Sequence, residues 1–134
     1  MSLGDELLKR ALTDGETGLY NRISLRLELE RAVDKAERYG FPLGIVTIRC
    51  DGCSTDSLTE FARHLAGGVR RSDCLARTGD RELSLLITHE DAENATEVVE
   101  RLDRLCRGYQ GAPIHTEIQT DLETQDFRRL LDRV

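Results

Sequence analysis

The feature that most constrains the fold of this chain is a nearly continuous apolar run at residues 43–50, which reads LGIVTIRC and contains several β-branched side chains. Such a run is typical of a strand that is buried on both faces of a sheet. Segments with helical periodicity lie on both sides of it in the sequence, at about 22–39, 57–69 and 91–107. We therefore predict a central sheet that is flanked by helices.

A charged β-hairpin is the second predicted feature. Residues 77–80 read RTGD and separate two short apolar runs, at 74–76 and 83–87. A Gly-Asp pair between two such runs is typical of a tight hairpin turn. Because flanking strands hold such a tip rigidly, it is a candidate site of chemistry.

The remaining segments complete one domain of 134 residues. We predict a short helix at 5–12, a polar loop at 13–22, a strand at 114–119 and a last helix from 127 to the chain end. Ser57 and Glu60 predict a capping box for the middle helix. The element order α-α-β-α-β-β-α-β-α predicts an α/β sandwich of the α+β type, with a mostly antiparallel central sheet.

Composition argues against several classes of protein. A net charge of −6 does not suit a nucleic-acid-binding surface, which needs a basic face. No apolar run approaches the roughly 18 residues of a membrane span. The four cysteines, at 50, 53, 74 and 106, are interpreted as free thiols in a reducing compartment, because no export signal is present. We expect a cytoplasmic domain without a nucleic-acid partner and without a membrane span in this chain.

Three segments carry family-like motifs. Residues 14–22 read DGETGLYNR, residues 42–51 read PLGIVTIRCD, and residues 70–83 read RRSDCLARTGDREL. They are similar to the DxLTGLxNR, DxD-ending strand and RxxDxxARxGGDEF motifs of the GGDEF domain, the module of diguanylate cyclases. The resemblance spans nearly the whole chain and implies the GGDEF, or nucleotidyl-cyclase-like, fold. It assigns residues 1–12 to a connecting helix and residues 13–134 to the domain itself.

The same resemblance implies a degenerate signature. The family condenses two GTP molecules, with metal ions held by the first Asp of DxD and by the third signature residue, and these positions are Arg49 and Arg81 here. A guanidinium cannot ligate Mg²⁺. Asp80 replaces the second signature glycine, whose lack of a side chain lets the backbone approach phosphates. We therefore predict no metal, no cofactor and no cyclase activity, so that the chain is not an enzyme. The degenerate signature comprises Gly79, Asp80, Arg81, Glu82 and Leu83.

Two further departures concern the nucleotide. The family segment FKxxNDxxGHxxG is absent, because the chain passes from Asp51 almost directly to residues 55–58. In this alignment Asp56 matches an Asp that contacts guanine in the family. The final family helix, with its phosphate-binding Lys and Arg, would begin near residue 130, where this chain ends.

Arg70 and Asp73 match the RxxD motif by which many family members bind cyclic di-GMP. The planar guanidinium of Arg can donate two hydrogen bonds to O6 and N7 of guanine. The carboxylate of Asp can accept from the N1–H and N2–H₂ groups of the same base. A structural interpretation stays open beside this one. Arg70 ends a helix, where a cation suits the dipole, and Asp73 precedes a strand, where it can cap a turn.

Cys50 and Cys53 form a CxxC pair after the predicted strand. Metal binding or redox chemistry is one interpretation. Packing of both side chains in the core is the other, and we favour it because no second CxxC or paired His supplies further ligands.

Arg49, Arg77 and Arg81 are also open to two interpretations. All three can form a cationic patch that binds a nucleotide, or Arg49 and Arg81 can pair with Asp51, Asp80 and Glu82 at the strand ends. We favour ion pairing.

Three functions follow from these observations. The first is a regulatory, catalytically inactive module of a larger bacterial signalling protein, which acts through dimerisation or contact with other signalling domains. The second is a cyclic di-GMP receptor that uses Arg70 and Asp73. The third is an active diguanylate cyclase with a rearranged site.

Overall fold

The computed structural model describes residues 3–40, 43–70, 73–88, 92–111, 115–123, 128–132 and 134. Its helices and strands follow the predicted order. The helices are α1 (Leu3–Leu12), α2 (Arg22–Tyr39), α3 (Thr55–Ala66), α4 (Ala92–Arg107) and α5 (Arg128–Leu131). The strands are β1 (Leu43–Asp51), β2 (Cys74–Gly79), β3 (Glu82–Ile87) and β4 (His115–Glu123). Residues 91, 114 and 127, where three predicted elements begin, lie outside the described residues.

The strands form one antiparallel sheet in the order β2-β3-β1-β4. The predicted α/β sandwich of the α+β type is confirmed. In the register, Ile48 lies opposite Leu83 and Arg49 lies opposite Glu82, so the end of β1 meets the start of β3. The register of β2 with β3 shifts between Arg77 and Gly79, which is the irregularity of a β-bulge.

The central strand β1 is buried on both faces, as predicted. Val46, Ile48 and Cys50 point into a core beneath α3 and α4, whereas Leu43 and Ile45 point into a second core beneath α2 and α5. This division follows from the period of two of a β-strand. The two layers of helices thus complete the burial of a strand that has apolar residues on both faces.

The helix ends show where local sequence sets the boundaries. Asn21 caps α2 by accepting from the Ser24 backbone N–H at 3.0 Å, and Gly40 ends the helix in the left-handed region at φ 73°. The prediction for α3 was wrong by three residues. Ser54, not Ser57, is the N-cap, because its hydroxyl accepts from the Ser57 backbone N–H at 3.2 Å. No helix in the described part of the chain is long and apolar enough to cross a membrane.

Candidate functional site

The tip of the β2–β3 hairpin lies beside the end of β1. The backbone N–H of Cys50 donates to the carbonyl of Arg81 at 2.8 Å, which fixes the turn against β1. Arg49 Nε lies 3.9 Å from Glu82 Oε1, and Glu82 Oε2 accepts from the Thr78 hydroxyl at 2.6 Å. Of the predicted strand-end ion pairs, the one between Arg49 and Glu82 is therefore present. Glu82, the acidic residue that this chain keeps from the family signature, thus already contacts Arg49 and Thr78.

Arg77 joins the hairpin to the polar loop. Its Nη1 lies 3.3 Å from Asp14 and 3.0 Å from Glu16. Its Nε and Nη2 donate to the carbonyls of Gly79 and Asp80, at 3.1 and 2.9 Å. The side chain is only 9% exposed. The sequence did not indicate this arrangement, since Asp14 and Glu16 lie far from Arg77 in the chain and no local pattern connects them.

The electrostatics of this contact are consistent with a permanent ion pair. Burial would raise the pKa of the Asp14 carboxyl, but hydrogen bonds from the Thr17 N–H and hydroxyl, both at 2.8 Å, and the charge of Arg77 lower it overall. Burial would likewise lower the pKa of Arg77, but Glu16 and Asp14 raise it. Both groups are therefore charged at neutral pH.

An open cleft of about 670 Å³ lies between the hairpin tip, the polar loop and the start of α3. Arg81 lines this cleft and forms no ion pair with any residue that the structure describes. The predicted pairing of Arg81 with a strand-end carboxylate is thus not found in that part of the chain. The lining residues are Glu16, Cys53, Ser54, Thr55, Arg77, Asp80 and Arg81.

The side chains around the hairpin do not fit a divalent cation. Within the described residues, no group of three or more Asp, Glu, His or Cys side chains is arranged to hold a metal. Glu82 is engaged by Arg49 and Thr78, and Arg81 brings a positive charge to the cleft.

Arg70 and Asp73 meet in a tight turn before β2. The Arg70 N–H donates to Asp73 Oδ2 at 3.3 Å, and the Asp73 N–H donates to the Arg70 carbonyl at 3.0 Å. Arg70 is exposed, whereas Asp73 is 5% exposed. Asp73 caps this turn, as the structural interpretation requires, and it also lines an open cleft of about 290 Å³. The other part of that interpretation is wrong, because α3 ends at Ala66 and Arg70 lies beyond it. Binding of cyclic di-GMP by these two residues stays a prediction.

Cys50 and Cys53 are both buried in the core beneath α3 and α4, in agreement with the packing interpretation. The Cys53 thiol donates to the Cys50 carbonyl at 2.9 Å. Burial, together with the neighbouring Cys53, Cys106 and Asp51, raises the pKa of the Cys50 thiol to about 12. All four cysteines are free thiols.

Comparison with known proteins identifies the family. The model of the diguanylate cyclase GGDEF domain matches residues 11–125. The chain belongs to the GGDEF family. The bifunctional diguanylate cyclase/cyclic di-GMP phosphodiesterase MucR of Pseudomonas aeruginosa is 31% identical over 117 residues, which are 78% of this chain and 17% of MucR. The response regulator PleD of Caulobacter vibrioides is 29% identical over 109 residues, which are 73% of this chain and 24% of PleD. The chain thus spans less than a quarter of the length of either relative.

A solved structure shows the same fold. The diguanylate cyclase SiaD of Pseudomonas aeruginosa, in complex with its activator SiaC, superposes on this chain with a TM-score of 0.79 and 21% identity. The match covers 98% of this chain and 58% of SiaD. The predicted GGDEF fold is confirmed.

One prediction is wrong, namely that the chain is not an enzyme. It was drawn from Arg49, Asp80 and Arg81, three positions beside the hairpin. The matching family is that of diguanylate cyclases, and both MucR and SiaD are named as such enzymes. The match extends over motifs and fold from residue 11 to residue 125, and membership of this family is consistent with an enzyme.

Proposed function

We propose that this GGDEF domain is a regulatory module of a larger bacterial protein in cyclic di-GMP signalling, in which the position of α1 controls the hairpin. The proposal is supported by its family and by the contacts between α1, the polar loop and the hairpin. In SiaD, a protein of the same fold, the named partner is an activator. A domain of this kind transmits a signal when two of its elements cannot move independently.

The observation that carries the proposal is the junction formed by Asn21 and Arg22. Asn21 Nδ2 donates to the Ala11 carbonyl at the end of α1, at 2.7 Å. The adjacent Arg22 Nη1 donates to the Thr78 carbonyl of the hairpin at 3.4 Å. Its Nε also donates to the Val134 carbonyl at 3.0 Å. Two consecutive side chains therefore contact α1, the hairpin and the last residue of the chain.

The polar loop strengthens the same connection. Tyr20 pairs with Ala76 as a short parallel bridge at the edge strand β2, and the Arg77 N–H donates to the Tyr20 carbonyl at 2.9 Å. The ion pairs of Arg77 with Asp14 and Glu16 hold the other part of the loop. A displacement of α1 would therefore pull on the hairpin through both backbone and side chains.

Amide hydrogen exchange of an Asn21→Asp variant tests this coupling. Asp keeps the N-cap acceptor for α2, loses the donor to the Ala11 carbonyl and adds a charge that suits the helix N-terminus, so the contact with α1 is broken while α2 stays capped. We expect faster exchange in the loop at 13–20 and in the hairpin at 74–87, with α4 unchanged as the internal control. Faster exchange in the loop alone would show that the hairpin does not respond to α1.

An output measurement extends the test to function. Product formation from GTP with Mg²⁺ and the affinity for cyclic di-GMP are measured for the wild type and for Asn21→Asp. Coupling energies between sites commonly correspond to about fivefold effects or more, and we expect a change of that size in at least one output. Equal outputs in both proteins would contradict a regulatory role of α1.

A second candidate function is that of a cyclic di-GMP receptor. It is favoured by the position of Asp73, which lines the 290 Å³ cleft together with Tyr20 and Arg31, next to the exposed Arg70. Tyr20 is 50% exposed and presents an aromatic face of the kind on which a base stacks. Titration calorimetry with cyclic di-GMP checks this function, with Arg63→Ala on exposed α3 surface as the control for Arg70→Ala. Binding that is absent at tens of micromolar, or equal in Arg70→Ala, would exclude it.

A further inference from the structure

We propose that the bond between Asp51 and Gly52 is a site of spontaneous covalent modification, at which the aspartyl residue converts to isoaspartate and lengthens the turn beside the hairpin. The chain contains two Asp-Gly pairs, at residues 14–15 and 51–52. Because glycine has no side chain, its backbone nitrogen is unhindered and reaches the preceding aspartyl carboxyl easily. The surroundings of the two pairs differ, and they favour reaction at Asp51 over reaction at Asp14.

The reaction is intramolecular and uses only water and a proton from solvent. The Asp51 carboxylate takes up a proton, and the Gly52 nitrogen attacks its Cγ. An N–Cγ bond forms, a Cγ–O bond breaks, and the hydroxyl leaves as water with the amide proton. Water then adds to the main-chain carbonyl carbon of Asp51 and opens the five-membered succinimide ring, so that the chain continues through Cβ and Cγ. One water is lost and one is regained, and no electrons are transferred.

The two reacting groups at 51–52 are free to meet. Asp51 and Gly52 are both exposed. The Asp51 carboxyl makes no hydrogen bond or ion pair with any residue that the structure describes. The Gly52 N–H likewise donates to no group in the described part of the chain. A Cβ built on Gly52 would meet nothing within 4 Å, so the space beside the nitrogen is open. An unhindered carboxyl can therefore rotate toward an N–H that no other group holds.

The carboxyl of Asp14 is fixed by other partners. Its Oδ2 accepts from the N–H and the hydroxyl of Thr17, both at 2.8 Å, and lies 3.3 Å from Arg77 Nη1. The Asp14 side chain is 20% exposed. Attack by the Gly15 nitrogen would require these contacts to break, and misplacement of reacting atoms by about 1 Å commonly costs about 100-fold in rate. The fold thus protects one Asp-Gly pair and leaves the other open.

Isoaspartate at position 51 would alter the attachment of the hairpin. The N–H of the preceding residue, Cys50, donates to the Arg81 carbonyl at 2.8 Å. On the other side of the turn, the Cys53 thiol donates to the Cys50 carbonyl at 2.9 Å, and both cysteines are buried. Isoaspartate inserts one methylene into the main chain between these two anchored residues, so the turn cannot keep both contacts with the same geometry. The modification would therefore make the position of the hairpin depend on the age of the protein.

Incubation of the folded protein at neutral pH, followed by trypsin digestion and electron-transfer mass spectrometry, tests the site. Trypsin cleaves after Arg and Lys and places the two pairs on separate peptides, 11–22 and 50–63. We expect isoaspartate to accumulate at Asp51 about tenfold faster than at Asp14, or more, since the Asp14 carboxyl must first leave its partners. In concentrated guanidinium chloride the two rates should agree within about twofold, because unfolding removes those partners.

Three outcomes of this incubation would overturn the proposal. They are equal rates at the two positions in the folded protein, no detectable isoaspartate at Asp51, and a difference that persists unchanged after unfolding. The last result would show that neighbouring sequence, and not the fold, sets the rates.

Two variants test the protection of Asp14 and the effect on the hairpin. Arg77→Ala removes one partner of Asp14, so isoaspartate at Asp14 should form about fivefold faster while the rate at Asp51 stays unchanged. An unchanged rate at Asp14 would contradict its protection by the fold. Asp51→Glu is the control for the hairpin, because Glu closes a six-membered ring far more slowly. Amide exchange at 74–87 should rise during incubation in the wild type and not in Asp51→Glu. An equal rise in both would contradict the effect of isoaspartate on the hairpin.

Discussion

Arg77 and Arg81 lie four residues apart at the same hairpin, yet their surroundings differ. Arg77 contacts Asp14 and Glu16 and is 9% exposed, whereas Arg81 is exposed and has no ion-pair partner among the described residues. The difference arises because Arg77 lies on the edge strand β2, against which the polar loop packs, and Arg81 lies in the turn. The guanidinium of Arg77 is therefore held within the structure, whereas that of Arg81 faces solvent.

Arg77→Ala should lower the free energy of unfolding by about 2 kcal/mol. The substitution removes the contacts of Arg77 with the largely buried Asp14 and the half-exposed Glu16, and it leaves these two carboxylates without a cation. Urea unfolding followed by circular dichroism measures the loss. Arg31→Ala is the control, because its side chain is 74% exposed and its ion pair with Glu28 is worth less than about 0.5 kcal/mol. Equal losses in the two variants would show that the Arg77 contacts add nothing.

The lowered pKa of Asp14 predicts a pH dependence. A carboxyl whose pKa is lower in the folded state than its ordinary 3.8 stabilises the fold above that value, and the contribution is lost as the pH falls through the folded-state pKa. Asp14→Asn keeps an acceptor for Thr17 but lacks the charge. We expect the stability difference between wild type and Asp14→Asn to shrink from about pH 5 to about pH 3. A difference that stays constant over this range would contradict the role of the charge.

The burial of some residues could be predicted from the sequence alone. The apolar positions of α2 and α3 and the buried cysteines follow from periodicity, and they lie in the core. The partners of Arg77 do not follow from it, because Tyr20 and Ala76 are far apart in sequence and no periodic pattern records that the loop packs along β2. A resemblance to a family placed the hairpin correctly, but it did not show which of its arginines is paired.

At the scale of elements, the two glycines after α3 differ in how closely α4 packs on them. A Cβ on Gly68 would lie 2.3 Å from a methyl carbon of Leu105, whereas a Cβ on Gly67 would meet only backbone oxygens, at 3.6 Å or more. Because Gly68 has no side chain, Leu105 can pack against the core. This difference could not be predicted from the sequence, since the two glycines are adjacent and both follow the end of the same helix.

Gly68→Ala and Gly67→Ala form a matched test of that packing. We expect Gly68→Ala to lower the free energy of unfolding by about 1–2 kcal/mol, because Leu105 must leave its position. Gly67 has φ −68°, which any residue adopts, so Gly67→Ala should change stability by less than about 0.5 kcal/mol. Thermal or urea unfolding measures the change in the free energy of unfolding for both variants. A loss of the same size in both would mean that the glycines act through the backbone and not through the contact.

At the scale of the whole molecule, the two cores share the sheet, because β1, β2 and β3 each place residues in both of them, and β1 shows this over its whole length. Its alternate side chains enter the core beneath α3 and α4 and the core beneath α2 and α5. The fold class could be predicted because a strand that is apolar on both faces requires this arrangement. The strand order β2-β3-β1-β4 could not be derived from periodicity, which does not distinguish one pairing from another, and it is the structure that gives it.

Sharing of these strands predicts that the two cores unfold together. Phe61 lies in the first core and Leu29 in the second, and both are fully buried. Phe61→Ala should lower the free energy of unfolding by about 3–5 kcal/mol and Leu29→Ala by about 2–5 kcal/mol.

Because neither core keeps a buried face without β1, each variant should still show one transition, with the same midpoint by far-UV circular dichroism and by tyrosine fluorescence. Tyr109, which packs on Phe61 at a ring distance of 5.1 Å, reports on the first core. If Leu29→Ala lost helical signal at a lower urea concentration than it lost the Tyr109 signal, the cores would be separate folding units. The junction of Asn21 and Arg22 would then connect two parts that are able to move independently.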